Sequence, residues 1–422
     1  LDYIKSLAET NKLLKQENVI IYEPAIKFQN LFIRVDVLVK RGNLVKLIEV
    51  KAKSYSEDED GDFLNKKGTK IATKWKPYVY DVAFQKYVMA QAFPHWTVKS
   101  YLMLADKTAQ SSVDGLNQRF VLEDVNGRTS VRIVGNVSLE ALGDKILIQV
   151  PTDDVVDRIW EGNDDYLSSL RRFSEWIHYF ASKYDLDEKI ITKPTAGKCS
   201  NCEFKASQEQ ESAGLKNGYK ECWKNVLKWK DEDFDKPSIF EIWNFRKKQM
   251  LMDSGIFLLN DISKEDIEVK PAEGLGLSTT ERQWLQIEKV KDNDDTIYFD
   301  KVGFQVEMRT WKWPLHLIDF ETSAVAIPFS KARKPYEGVA FQFSHHIMNE
   351  DGSIEHKGEY INREKGKFPN FEFIRALKKE LETDEGTVFR YATHENTFLN
   401  IIYGQLQASN EPDKDELCEW IK

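Results

Sequence analysis

The chain runs to 422 residues, more than one ordinary core holds, so two or three domains are expected. Hydrophobic residues at 41% and aromatics at 12% suffice for packed cores and exclude wholesale disorder; no apolar run approaches the roughly 18 residues of a membrane span. A formal charge of −9 weighs against a protein coated in nucleic acid, yet leaves room for acidic metal ligands beside a local basic patch. No signal peptide opens the chain, and four cysteines are no disulfide framework, so a reducing cytoplasm is expected, where a close Cys pair predicts a metal before a disulfide. The first residue is Leu1 rather than Met, which predicts a fragment or a trimmed chain.

In chain order, Asp2 to Gln16 reads as a helix, and Leu31 to Val39 and Leu44 to Val50 as two strands. Arg41-Gly42-Asn43 supplies turn chemistry between them, so the pair is a hairpin. After a lysine-rich loop, Tyr80 to Phe93 is helical and Thr97 to Ala105 strand-like, an order that suits an α/β sandwich. Residues 118–150 read as added strands, and Asp154 to Tyr184 as helical. A cysteine segment occupies Lys198 to Trp223, and residues 224–300 read as a mostly helical connector with a capping box at Ser278-Thr279-Thr280-Glu281. From Pro314 the pattern is strand (315–320), strand (338–348), strand (356–362), helix (369–382), strand (386–393), helix (395–407), the opening half of a ribonuclease-H-like fold. The expected domains are 1–150, 151–230, 231–310 and 311–422.

Chemistry concentrates first at Asp36, Glu49 and Lys51. Twelve residues, including the turn, separate Asp36 from Glu49-Val50-Lys51, and both carboxylates lie in strongly apolar strands, where burial is costly without a metal or a partner. Period-two alternation points Lys51 to the same face as Glu49. Two carboxylates suit magnesium, which takes hard oxygen ligands and keeps several waters, and a lysine beside them can orient water or stabilise transition-state charge. E-x-K alone is common and fits an edge strand with exposed charges; the hairpin, the Asp spacing and a following helix with Gln85 separate this case from that one.

The order Asp, E-x-K, then a glutamine-bearing helix (Asp81-Val82-Ala83-Phe84-Gln85-Lys86-Tyr87) resembles the RecB-type PD-(D/E)xK nucleases, including the CRISPR-associated iron–sulfur nucleases. Their helix usually carries Q-x-x-x-Y; here Met89 stands at the tyrosine position, with Tyr87 nearby. Ile21-Tyr22-Glu23-Pro24, this helix and the C-terminal block resemble a group of uncharacterised bacterial proteins joining a RecB-like nuclease to a domain of unknown function with a ribonuclease-H-like signature. The resemblance implies a PD-(D/E)xK restriction-endonuclease-like core, Mg2+ or Mn2+ at Asp36 and Glu49, a role for Gln85, and DNA rather than RNA as substrate. Glu23 is either a further acidic neighbour of the metal or a plain surface glutamate. Lys70, Lys74, Trp75 and Lys76, in a basic loop interleaved with aromatics, are either nucleic-acid contacts or part of a solvated loop.

Cys199-Ser200-Asn201-Cys202 is a C-x-x-C, and Cys222 follows after nineteen residues. Iron–sulfur and zinc sites both use four cysteines, and three buried free thiols are the bland reading. The resemblance implies a [4Fe-4S] cluster (or Zn2+) with these three as the later ligands and a fourth, absent here, before the nuclease core; Cys418 lies in another expected domain.

Asp319 and Glu321, at i and i+2 on an apolar strand, suit shared metal ligation in a two-metal exonuclease. They resemble the first motif of the DEDD-type 3′→5′ exonucleases, and Glu395 resembles the second acid, while Asp413, Asp415 and Glu416 sit in a polar tail. The histidines at 345 and 346 alternate across a strand, so at least one is expected to be structural. The sequence thus predicts a divalent-metal-dependent nuclease centred on Asp36, Glu49 and Lys51. The alternatives are a nucleic-acid-binding protein with degenerate nuclease folds, or an exonuclease centred on Asp319 and Glu321.

Overall fold

The computed structural model describes residues 2–162, 171–364 and 366–422, which form a mixed α/β structure in two compact units. The larger combines residues 1–185 with 312–422; residues 186–311 make up the other.

The larger unit opens with helix α1 (Tyr3–Leu13), started by the Asp2 carboxylate accepting from Lys5 N. Strands β1 (Asn18–Tyr22), β2 (Ala25–Phe28), β3 (Leu31–Arg34), β4 (Val37–Arg41) and β5 (Leu44–Tyr55) follow. The stretch expected as one strand over 31–39 is two: β3 pairs with β2 in a separate hairpin, whereas β4 pairs with β1 and β5. The chain changes sheets at Val35 and Asp36, where Val35 N bonds Pro24 O and Asp36 O accepts from Glu23 N. The β4–β5 hairpin forms where its turn residues predict, with Gly42 at φ +55°, a left-handed conformation that costs a glycine little.

Helix α2 (Lys76–Ala92) carries the chain from β5 to the parallel strand β6 (Thr97–Asp106), a crossover that parallel pairing requires. A hairpin of β7 (Phe120–Val125) and β8 (Arg128–Ile133) leads to β9 (Leu147–Pro151), which completes the five-stranded sheet β1-β4-β5-β6-β9. Leu38, Leu47, Leu102 and Leu104 of the sheet and Val79, Val82 and Met89 of α2 are fully buried in one core. The helix expected over 154–184 is seen as α3 (Asp153–Trp160) and α4 (Phe173–Asp185); its middle, 163–170, lies outside the described residues.

The C-terminal part holds β10 (Leu315–Ser323), β11 (Val339–Met348), β12 (Ile354–Ile361), α5 (Asn370–Leu381), β13 (Val388–Phe389), α6 (His394–Gln407) and α7 (Lys414–Ile421). The sheet runs β12-β11-β10-β13, antiparallel except for β13, which pairs parallel to β10. The expected strand over 386–393 shrinks to two residues. The expected polar tail is helix α7, which buries Leu417 and is tied to α5 by Arg375 on Asp413 (Nε–Oδ2 2.7 Å). Backbone bonds also join this part to the first: Ser111 N to Arg333 O (3.0 Å), Ala332 N to Ser111 O (2.7 Å), Gly115 N to Phe329 O (2.8 Å) and Asn117 N to Pro328 O (3.4 Å).

The smaller unit is built from short helices around its own core, in which Trp223, Ile239, Ile242, Leu259, Ile262 and Ile287 are buried. Tyr219 and Trp223 of the cysteine segment pack in that core, so this segment and the connector fold together rather than as separate domains. Ser278 and Glu281 form the expected capping box of the helix Thr279–Lys291. No described helix is long and apolar enough to cross a membrane.

Candidate active site

The β4–β5 ladder ends at Val37 opposite Ile48. Two residues beyond, the Val50 N–H donates to Asp36 Oδ2 (2.7 Å), so the carboxylate takes the place of a missing ladder acceptor. On the other side of β5, pairing with β6 breaks between Val50 and Ser54. Such irregularities re-aim side chains, and Lys51 sits in this one.

Glu49 and Lys51, two apart on β5, both turn toward α2. Lys51 Nζ donates to Glu49 Oε1 (2.6 Å) and to Asp81 Oδ2 (2.9 Å). Gln85 Nε2 donates to Glu49 Oε2 (2.9 Å) and to Asp81 Oδ1 (3.0 Å). Asp81 and Gln85 are four residues apart on one helix, hence on one face. The structure therefore brings Asp36, Glu49, Lys51 and Gln85 into one group, and adds Asp81, which sequence reading passed over. The i, i+4 spacing to Gln85 was the signal that could have found it.

Two carboxylates, Glu49 and Asp81, bond the one lysine here, and Asp36 adds negative charge near Glu49. Glu49 is only 6% exposed, and burial, helped by the negative charges of Asp36 and Asp81, pushes its carboxyl above the ordinary range despite its bonds to Lys51 and Gln85. Burial works to lower the Lys51 ammonium, but the bonds to Glu49 and Asp81 outweigh it and hold its pKa above that of an ordinary lysine. Gln85 Oε1 is buried without a hydrogen-bond partner, an acceptor left for a donor such as water.

Asp36 and Glu49 are the hard oxygen ligands that could hold a magnesium or manganese ion. Among the described residues no three His, Cys, Asp or Glu side chains are grouped to hold a metal ion, so two carboxylates with water are the donor set on offer. The surplus negative charge and the unmet Gln85 acceptor fit a hydrated divalent cation. Glu23, at φ +54°, pairs its carboxylate with Arg34 (2.9 Å).

The basic loop divides. Lys70 is exposed, Lys76 half-buried, and Lys74 exposed and paired with Asp60. Trp75, read above as a possible nucleic-acid contact, is fully buried and donates Nε1 to Asp60 Oδ1 (3.2 Å), so it is a core residue. Met89 is core as well, and the Tyr87 hydroxyl bonds His178 Nε2 (3.1 Å).

In the smaller unit Cys199, Cys202 and Cys222 are partly buried against its core. Burial raises the Cys199 thiol, and the other two cysteines lie near enough to add to the rise. Burial and the neighbouring Cys199 and Cys202 likewise raise Tyr219. Three sulfurs do not complete a four-cysteine set.

In the C-terminal part Asp319 and Glu321 are exposed on β10. Glu395 is buried, with Oε2 unpartnered, in a cavity walled by Ile318 and Phe320, which alternate with the two acids along the strand. Two buried histidines on the same sheet are bonded to each other, His316 Nδ1 to His345 Nε2 (2.8 Å), and each reaches a partly exposed carboxylate, His316 Nε2 to Asp384 Oδ1 (2.8 Å) and His345 Nδ1 to Glu380 Oε2 (3.2 Å). His345 is thus a structural histidine, its pKa lowered by burial.

A family described only as a domain of unknown function, DUF2779, matches residues 316–421. No curated protein and no solved structure matches the chain.

Proposed function

We propose that the chain is a divalent-metal-dependent nuclease that cleaves phosphodiester bonds, with DNA as the expected polymer. The observation that carries this reading is the meeting of Asp36, Glu49, Lys51 and Gln85, from the link before one strand, a second strand and a helix, around the buried Glu49 carboxylate. The order of helix, strands, crossover helix and strand around it supports a PD-(D/E)xK core. When bound, a magnesium or manganese ion would polarise the scissile phosphate and lower the pKa of water beside it.

The chain's own groups do the rest. Asp36 and Glu49 hold negative charge at fixed positions, Asp36 by its bond to Val50 N and Glu49 by Gln85. Lys51, kept protonated by Glu49 and Asp81, places a positive charge where a phosphate oxygen gains negative charge in the transition state. Asp81 does not face the reacting atoms in this scheme; it positions Lys51 and Gln85. The test is cleavage of single- and double-stranded DNA, and of RNA, in magnesium by the chain and by Glu49→Gln. Metal-dependent cleavage lost in the variant supports the reading, and equal cleavage by both refutes it.

The strand order β12-β11-β10-β13, with β13 parallel to β10, supports reading the C-terminal part as ribonuclease-H-like. Asp319 and Glu321 would be its first acids; with Glu395 set apart from them, it is not assigned the cleavage. Cys199, Cys202 and Cys222 are proposed as ligands of an iron–sulfur or zinc site, although among the described residues they are not grouped to hold a metal ion. Their three sulfurs predict sub-stoichiometric iron or zinc after anaerobic purification, which elemental analysis measures.

A further inference from the structure

Within the larger unit a cavity of about 440 Å³ opens where the loop after β10 meets the chain preceding β7. Its walls are fixed from both sides. The backbone bonds of Ser111, Gly115 and Asn117 to residues 328–333 tie the loop down, and Lys331 N adds a bond to Asp114 Oδ1 (2.7 Å).

The lining has three kinds of group. Phe329, Phe341 and Phe368 are half-buried. The first two rings stack on no other aromatic ring among the described residues, whereas Phe320, Phe343, Tyr360 and Phe373 in the adjoining core all pack edge-on or stacked with one another. Arg333, Lys334 and Lys367 bring three positive charges against Glu337 and Glu364, so the lining is net positive in a chain of net charge −9. Arg333 is held 3.8 Å over the Phe368 ring and bonded to Glu337 (3.2 Å), and Lys367 makes a long, exposed pair with Glu364 (3.4 Å) that a phosphate would have to displace, while the Lys334 ammonium has no ion-pair partner among the described residues. Gln118, Ser323 and Asn362 add neutral donors and acceptors.

These groups select among ligands. A wholly apolar molecule would bury the cations and amides unsatisfied. A small inorganic anion would leave the phenylalanine faces unused, and a divalent cation would be repelled. A flat heteroaromatic ring with a phosphate attached uses all three, and the volume lies in the range of small-molecule sites, which favour such junctions. We propose that this cavity binds a nucleoside phosphate, its base against Phe329 and Phe341 and its phosphate toward Lys334 and Lys367. The ligand is a free nucleotide or the last nucleotide of a strand, which share this chemistry. The proposal goes beyond the cleavage reading and stands without it.

Isothermal titration calorimetry of the 422-residue chain in EDTA, where no divalent ion permits cleavage, tests it. The titrants are deoxyadenosine monophosphate, deoxyadenosine, inorganic phosphate and a short single-stranded oligonucleotide with a terminal phosphate. The monophosphate is expected to bind more tightly than either the nucleoside or phosphate alone. Lys334→Glu with Lys367→Glu, at exposed positions, should weaken it about tenfold or more, as the loss of a charge-assisted contact to phosphate predicts. Ser323→Trp should weaken it independently by filling the space. Competition by the oligonucleotide identifies a strand end as the source, and its absence a free nucleotide. Failure of both the monophosphate and the oligonucleotide to bind, or binding unchanged in both variants, overturns the proposal.

Discussion

Two sets of acids lie in the larger unit, and they are treated differently by the fold. Around Glu49 every carboxylate is held by a donor from another part of the chain: Val50 N on Asp36, Lys51 and Gln85 on Glu49, and the same two on Asp81. On β10 the acids Asp319 and Glu321 stand exposed, while Glu395 is buried apart from them. A site that must position charge spends burial and hydrogen bonds on its acids; exposed acids on one strand have neither. The contrast ranks the first group above the second as a place for catalysis, and substitutions can break that ranking.

The largest effect is expected at Glu49→Gln and Lys51→Ala, each lowering metal-dependent cleavage by about 10² to 10³ or more, as removal of a preorganised charged group does. Glu49→Gln should also stabilise the protein. Because burial raises the folded-state pKa of Glu49, the folded chain binds more protons than the unfolded one above the ordinary carboxylate pKa. Wild-type stability therefore falls as pH rises from that value through the raised one, a cost the amide escapes. Thermal melts should show the variant ahead at neutral pH and level with wild type in acid. A variant less stable at neutral pH would contradict the burial account.

Next comes Asp81→Asn, expected to lower kcat about tenfold with KM little changed, since Lys51 loses one of its two anchors but keeps its charge. Restoration of part of the rate by Asp81→Glu would separate positioning from mere folding. For Asp319→Asn combined with Glu321→Gln, cleavage within about twofold of wild type is expected, as for exposed groups outside the reacting shell. A loss as large as that of Glu49→Gln would move the active site to the C-terminal part. The smallest effect is at Glu395→Met, which removes a buried, unpartnered carboxylate oxygen and should raise the urea midpoint, worth about 1 kcal/mol.

Much of this was legible because it is local. The β4–β5 hairpin follows from Gly42-Asn43 between apolar runs, and the shared face of Glu49 and Lys51 from strand alternation. The order of strands and helices after residue 314 follows from hydrophobic period in the same way, apart from β13, whose pairing with β10 shortens to two residues. What escaped depends on distant partners. Nothing near Trp75 distinguishes a buried indole from a surface one; its burial comes from packing on Tyr55 and Phe63. The break at Asp36 is set by which strand each half pairs with, and Asp81 becomes a site residue only when α2 is laid over β5.

The backbone bonds between residues 111–117 and 328–333 also bear on how the chain is made. The ribosome delivers the first half of the larger unit, then all of 186–311, before the strand β10 that completes it. At about 5–20 residues per second that interval lasts on the order of ten seconds. Through it the nascent N-terminal half waits with the partners of Ser111, Gly115 and Asn117 still unmade, and the inserted segment has time to collapse on its own tryptophan core first. A chain released before residue 328 lacks those partners altogether, which makes the C-terminal part a structural participant in the first half rather than a detachable appendage.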